Sequence, residues 1–236
     1  MEFPAFTSYK TEDGFTCIEQ QGVRSFLFEG ADRALLVDCC FGGDLKSYCE
    51  TLTDKPIQVV ITHADGDHTG GAKGFDKLWM HPAEFARYYE KNNVSAEAEP
   101  LWENTVIDLG DWRFEVVLIP GHTPGGIALL EREKRFLIGG DTLQSGGIFM
   151  FGDGRNMPAF LASMERLQTL RNEFDRIYAS HNNLVEKPEI IDSLEDFARD
   201  VLAGKLPEPE AAEGGFLPPN VKIYSKGDAH FLLGES

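Results

Sequence analysis

The chain has 236 residues, a formal net charge of −17, and 42% hydrophobic and 11% aromatic residues. That apolar content excludes a disordered or fibrous chain, and the acidic balance argues against a nucleic-acid partner, whose binding draws on Lys and Arg neutralising phosphates. No apolar run approaches the ~18 residues of a membrane span, Met-Glu-Phe-Pro-Ala is unlike a secretory leader, and Cys17, Cys39, Cys40 and Cys49 are too clustered for a disulfide framework, so a cytoplasmic protein with reduced thiols and no membrane partner is expected.

In chain order, short β-branched and apolar runs predict strands over Phe15 to Ile18, Val23 to Phe28, Ala34 to Val37 and Ile57 to Ile61. Cys39 and Cys40 extend the third run past Asp38 and read as buried thiols. The fourth run leads straight into Thr62-His63-Ala64-Asp65-Gly66-Asp67-His68-Thr69-Gly70-Gly71. Alternate residues of an extended segment face one side, so His63, Asp65 and Asp67 are expected to converge on one cavity while a turn at Gly66 brings in His68. Helical spacing follows at Phe85, Tyr88 and Tyr89 after Pro82.

A second set of strands is predicted over Thr105 to Leu109, Phe114 to Ile119, Ile127 to Leu130, Phe136 to Ile138 and Ile177 to Ala179. Three short motifs sit at the ends of these runs: Pro120-Gly121-His122-Thr123-Pro124-Gly125-Gly126, Gly139-Gly140-Asp141-Thr142 and Ala179-Ser180-His181-Asn182-Asn183. Leu143 to Met157, with Phe149, Met150 and Phe151, reads as an apolar flap beside Asp141, or as a plug on the core. Helical stripes run through Phe160, Met164, Leu167, Leu170 and Phe174 after Pro158, and through Ile190, Leu194, Phe197 and Val201 after Pro188. Pro207 to Asn220 resembles a linker, but the tail with its strand-like Val221 to Tyr224 is too short for a second unit, so residues 1–236 are expected to form one domain of the α/β (α+β) class.

Histidine is scarce, six in all, yet four lie in these strand-end motifs. Residues just beyond strand termini line one edge of a sheet, where loop-borne sites form. Imidazoles mixed with carboxylates favour Zn, Fe or Mn over Ca and Mg, which prefer oxygen shells. His81 and His230 lack such context and read as structural.

From Phe15 to His181 the order and spacing of these segments resemble the metallo-β-lactamase superfamily, including its glyoxalase II-like and lactonase-like members. The matching pieces are the His63 to Gly71 segment, where the family has His-x-His-x-Asp-His before Gly-Gly, the Gly121-His122-Thr123-Pro124-Gly125 motif, Gly140-Asp141 and His181. The resemblance implies a four-layer αββα sandwich holding two divalent metal ions, zinc, with iron or manganese as alternatives. One ion would take His63, Asp65 and His122 and the other Asp67, His68 and His181, with Asp141 bridging and Asp38 in support. Asp65 departs from the family's second histidine, a change shared with flavodiiron proteins. The implied activity is hydrolysis of a small ester, thioester or lactone by metal-activated water, with Asp67 orienting the nucleophile or relaying its proton; a non-haem diiron redox enzyme is the alternative. A small-molecule substrate is expected, and the oligomeric state is left open.

Overall fold

The computed structural model, which describes residues 3–91, 96–210 and 217–234, opens with seven strands lying side by side in chain order. These are β1 (Thr7–Lys10), β2 (Thr16–Gln20), β3 (Val23–Glu29), β4 (Ala34–Val37), β5 (Ile57–Val60), β6 (Lys77–Met80) and β7 (Glu97–Pro100). The first four pair antiparallel and the last three are added in parallel. Parallel neighbours need crossovers, and α1 (Leu45–Glu50), α2 (Gly66–Thr69) and α3 (Phe85–Lys91) lie in those three connections.

The second sheet contains β8 (Val106–Asp108), β9 (Arg113–Leu118), β10 (Ile127–Glu131) and β11 (Phe136–Gly140), which pair antiparallel in turn. The chain then leaves this sheet through β12 (Gly146–Phe149) and α4 (Met157–Thr169), and returns as β13 (Arg176–Ala179), parallel to β11, and β14 (Val185–Glu186). After α5 (Ile190–Leu202), the strands β15 (Val221–Lys226) and β16 (Ala229–Gly234) form a hairpin, and β16 pairs in parallel with β12 to make a three-stranded sheet.

Period-two alternation sorts the side chains into layers. Phe26, Phe28, Leu35 and Val37 of the first sheet meet Phe114, Val116, Leu129, Phe136 and Ile138 of the second in one buried cluster. Their neighbours Leu27 and Leu36 point outward instead, to a cluster with Leu45 and Cys49 of α1 and Tyr88 of α3. Val117, Leu130 and Leu137 point outward from the second sheet, to Phe160, Met164 and Leu167 of α4 and Leu194 and Phe197 of α5. Both faces of each sheet are thus covered, which is why these strands read as near-continuous apolar runs. The architecture is the αββα sandwich that the family resemblance implies. Each buried phenylalanine of the middle layer contributes about 1.5–3 kcal/mol of transfer free energy, so this aromatic layer clamps the sheets together.

Three expectations need correction. Leu143 to Met157 is not a free flap, because β12 lies within it and is hydrogen-bonded to β16. The α4 helix ends at Thr169, and Phe174 reaches the same core only after a separate 3-10 turn, Arg171–Glu173. Asp67 does not share an extended segment with His63 and Asp65, since the chain turns helical at Gly66. Of the linker-like stretch, residues 211–216 lie outside the described residues, while the tail beyond it packs back: Phe231 stacks on Phe197 at 5.0 Å. Among the described residues no helix is long and apolar enough to cross a membrane.

Candidate metal centre

Asp38, His63, His122, Asp141 and His181 all follow the ends of strands, respectively β4, β5, β9, β11 and β13. The α2 turn adds Asp67 and His68, and the loop after β4 docks directly on it through Cys39 N–H donating to His68 O and Gly71 N–H to Cys39 O. That approach requires Gly70 and Gly71: a Cβ would stand 1.9 Å from Phe41 O at the first and 2.3 Å from Cys39 O at the second. The Gly-Gly of the motif is therefore a packing requirement.

All seven expected residues come together, in two groups: His63, Asp65 and His122, and Asp67, His68, Asp141 and His181. Asp141 lies between them. Its Oδ1 is 3.1 Å from His68 Nε2 and 3.4 Å from His181 Nε2, while its Oδ2 is 3.8 Å from Nε2 of both His63 and His122. Asp67 Oδ2 lies 3.1 Å from His181 Nε2, and Asp65 Oδ2 lies 3.4 Å from His122 Nε2.

Each imidazole is oriented by its far nitrogen. The Nδ1 atoms of His122 and His181 face the carbonyl oxygens of Phe149 and Gly22 at 3.0 and 2.9 Å, which can only accept. His68 Nδ1 faces Asp38 Oδ2 at 2.8 Å. The Thr62 hydroxyl donates to Asp38 Oδ2 at 2.7 Å, leaving its oxygen to accept from His63 Nδ1 at 3.1 Å. These bonds place a proton on Nδ1 in all four rings and aim each Nε2 inward. The Nε2 atoms of His63 and His122 then face each other at 3.3 Å, an arrangement of two acceptors that a shared cation relieves. His68 Nε2 and Asp141 Oδ1 are buried without a hydrogen-bond partner despite their 3.1 Å separation, so both point past each other to a third position. The donor set, with these orphaned atoms beside Asp67 and His181, fits the binding of a divalent metal.

The electrostatics agree. Burial pulls the His68 imidazole down, but Asp141, Asp38 and Asp67 outweigh it and hold its pKa well above the ordinary value. Burial and the His68 charge keep His63 well below it. Burial pushes the Asp141 and Asp67 carboxyls up, yet His68 and His181 bring both below the usual carboxylate range. Protons thus gather on His68 where a bound cation would displace them.

Three residues that no sequence pattern marks complete the site. Asp65 Oδ1 accepts from Arg87 Nε at 2.7 Å and also from Arg87 Nη2, and Oδ2 accepts from Arg155 Nη2 at 2.5 Å. Three of the carboxylate's roughly four acceptor positions are occupied, and the remaining one, on Oδ2, faces the imidazoles. Burial raises the Asp65 pKa, but His122, His63 and Arg155 together lower it far below the ordinary value. Glu84, fully buried in a 3-10 turn, accepts from Ala64 N at 2.8 Å and from Gly125 N at 2.6 Å, tying the loop of His63 and Asp65 to that of His122.

The cysteines stay out of the centre. All four are free and buried, and burial pushes Cys17 up to about 11 and Cys40 and Cys49 up to about 12. His81 caps a turn through Ala83 N, and His230 pairs with Ser225 Oγ at 2.6 Å.

Comparison with known proteins bears on the whole arrangement. The acyl-coenzyme A thioesterase MBLAC2 of Gallus gallus is 26% identical over 201 residues, covering 67% of this chain and 72% of its own length. A hydroxyacylglutathione hydrolase of Ectopseudomonas mendocina is 30% identical over 155 residues, covering 65% of this chain and 56% of its own. The chain thus spans little more than half of the second relative. The solved metallo-beta-lactamase from Pontibacter korlensis superposes with a TM-score of 0.71 at 15% identity, over 83% of this chain and 100% of that one, a likeness of fold. The model of the metallo-beta-lactamase superfamily matches residues 19–196. Because that match runs through both large sheets and every strand-end motif, the chain belongs to the metallo-β-lactamase superfamily.

Proposed function

We propose that the chain is a metal-dependent hydrolase that holds two divalent ions, zinc, and cleaves small esters, thioesters or lactones with water. One observation carries the reading: four imidazoles, each tied outward at Nδ1, present Nε2 to the same small volume as three aspartates. His63, Asp65 and His122 would hold one ion and Asp67, His68 and His181 the other, with Asp141 between. Such ions supply a water acidified toward neutral pH and an electrophile for the carbonyl oxygen. The residues of the chain orient and exclude. Asp38 and Thr62 fix His68 and His63, Phe149 O and Gly22 O fix His122 and His181, and Asp67, half-buried and ionised, stands where a proton of the nucleophile can be held or passed on. The names of the chicken and bacterial relatives, a thioesterase and a hydroxyacylglutathione hydrolase, support the reaction class.

The carboxylate at position 65 is the feature that favours a diiron redox centre. Its pairing with Arg87 and Arg155 counters that argument, because one negative charge faces two positive ones and the donor oxygen is depleted by hydrogen bonds. Elemental analysis of protein purified without added metal, together with assays on ester, thioester and lactone substrates, tests the proposal. Zinc with turnover is the expected result. Iron with no hydrolysis would overturn it in favour of redox chemistry, and a protein that takes up no transition metal would overturn both.

A further inference from the structure

A cavity of about 290 Å³ opens on Asp67, Asp141 and His181, and its far side is apolar. The three-stranded sheet builds that side by simple alternation. Across β12, β16 and β15, Phe149 is in register with Leu232, and Leu232 with Ile223. The three form a row on one face of the sheet, and all three line the cavity, with Leu217 from the approach to the hairpin. On the other face Ile148, Phe231 and Tyr224 form the next row and are buried in the core against α4 and α5. The core row thus fixes the sheet, and the opposite row is left to line the cavity. Gly147 shares the cavity face, and a Cβ there would stand 2.3 Å from Leu232 Cδ1, so its absence lets Leu232 lean over β12. Among the described residues no Lys or Arg lines the cavity, which suits an uncharged aliphatic group. The volume lies at the low end of ligand pockets, ~300–1,000 Å³, and suits a short or medium chain better than a whole coenzyme. The hairpin also lies beyond residues 19–196, outside the span that the family model matches.

We propose that Phe149, Leu232, Ile223 and Leu217 form the wall that holds the aliphatic acyl group of the substrate, and that Ile223 sets the chain length accepted. This rests on the hydrolase reading above. A buried methylene is worth up to about fourfold in affinity or kcat/KM, so with zinc-loaded protein and 4-nitrophenyl esters and N-acetylcysteamine thioesters, kcat/KM is expected to climb from acetyl to octanoyl. Ile223→Asn should cut the octanoyl-to-acetyl ratio at least tenfold, and Ile223→Trp, which fills the cavity, should move the optimum to shorter chains. A flat chain-length profile, or a ratio that neither variant changes, overturns the wall. Calorimetric binding of octanamide against acetamide, which needs no turnover, judges the wall separately. Tighter octanamide binding that I223N weakens supports it, and equal affinities overturn it. Octanamide binding with no ester or thioester turnover would remove the hydrolase reading and leave the wall standing.

Discussion

Replacing Glu84 by Gln tests whether a residue remote from any motif holds the two halves of the site together. The carboxylate is fully buried and accepts one backbone N–H through each oxygen, Ala64 at 2.8 Å and Gly125 at 2.6 Å. The amide keeps one oxygen, so one of these N–H groups would face an NH2 that can only donate. A hydrogen bond to a charged group contributes about 1.5–3 kcal/mol, and E84Q is expected to lower the unfolding free energy by about that amount. Because Ala64 sits between His63 and Asp65, and Gly125 follows His122 by three residues, the loss falls on the spacing of the first metal group. Outer partners of metal ligands typically change affinity about 10–100-fold, and zinc binding should weaken on that scale. Urea unfolding of the metal-free protein, read as a shift of midpoint at constant slope, gives the stability term. Competition with a chromophoric chelator gives the affinity. A stability within about 0.5 kcal/mol of wild type together with unchanged zinc affinity would refute the argument.

Other consequences follow from the same geometry. His68→Ala should empty the group of Asp67, Asp141 and His181, and mass-spectrometric metal analysis at full occupancy would contradict that. Asp65→His, which restores the family residue, leaves two arginines facing an imidazole; since breaking a buried ion pair costs about 3–5 kcal/mol, thermal and urea unfolding should show a large loss, and a variant as stable as wild type would count against the clamp. Burial raises the Asp13 pKa, but hydrogen bonds from Arg176 and Tyr178 outweigh it and bring it below the ordinary value. A depressed folded pKa means stability that is present above the unfolded value of about 3.9 and is lost as pH falls through the folded one. The gap between wild type and Asp13→Asn should therefore be constant near neutrality and shrink below about pH 4; a gap that widens in acid would reverse the sign. The four thiols should resist a disulfide reagent at pH 8 in the native state and all titrate in urea, as burial and the raised values for Cys17, Cys40 and Cys49 require.

Local patterns were enough for the layered frame and the strand-end motifs. Residues such as Phe26, Leu27 and Phe28 form an unbroken apolar run because both faces of their sheet are covered, and His122, Asp141 and His181 each stand beside strand-ending turns that the sequence displays. The β7 edge strand, Glu-Ala-Glu-Pro, carries no such signal, because only one side of an edge strand is paired and its charged residues face solvent. β12, with its two glycines, resembled a loop for a related reason: its pairing partner lies more than eighty residues away in β16.

Residue type and period-two spacing are local properties, so the amino-acid order already marks the side chains able to bind a cation and sets most of them just beyond strands. How Arg87 and Arg155 reach Asp65 across 22 and 90 residues, how Glu84 ties two loops together, and which row of the terminal hairpin faces the cavity come from the tertiary structure alone. Contacts of that range depend on how the layers pack, and no local spacing reports it.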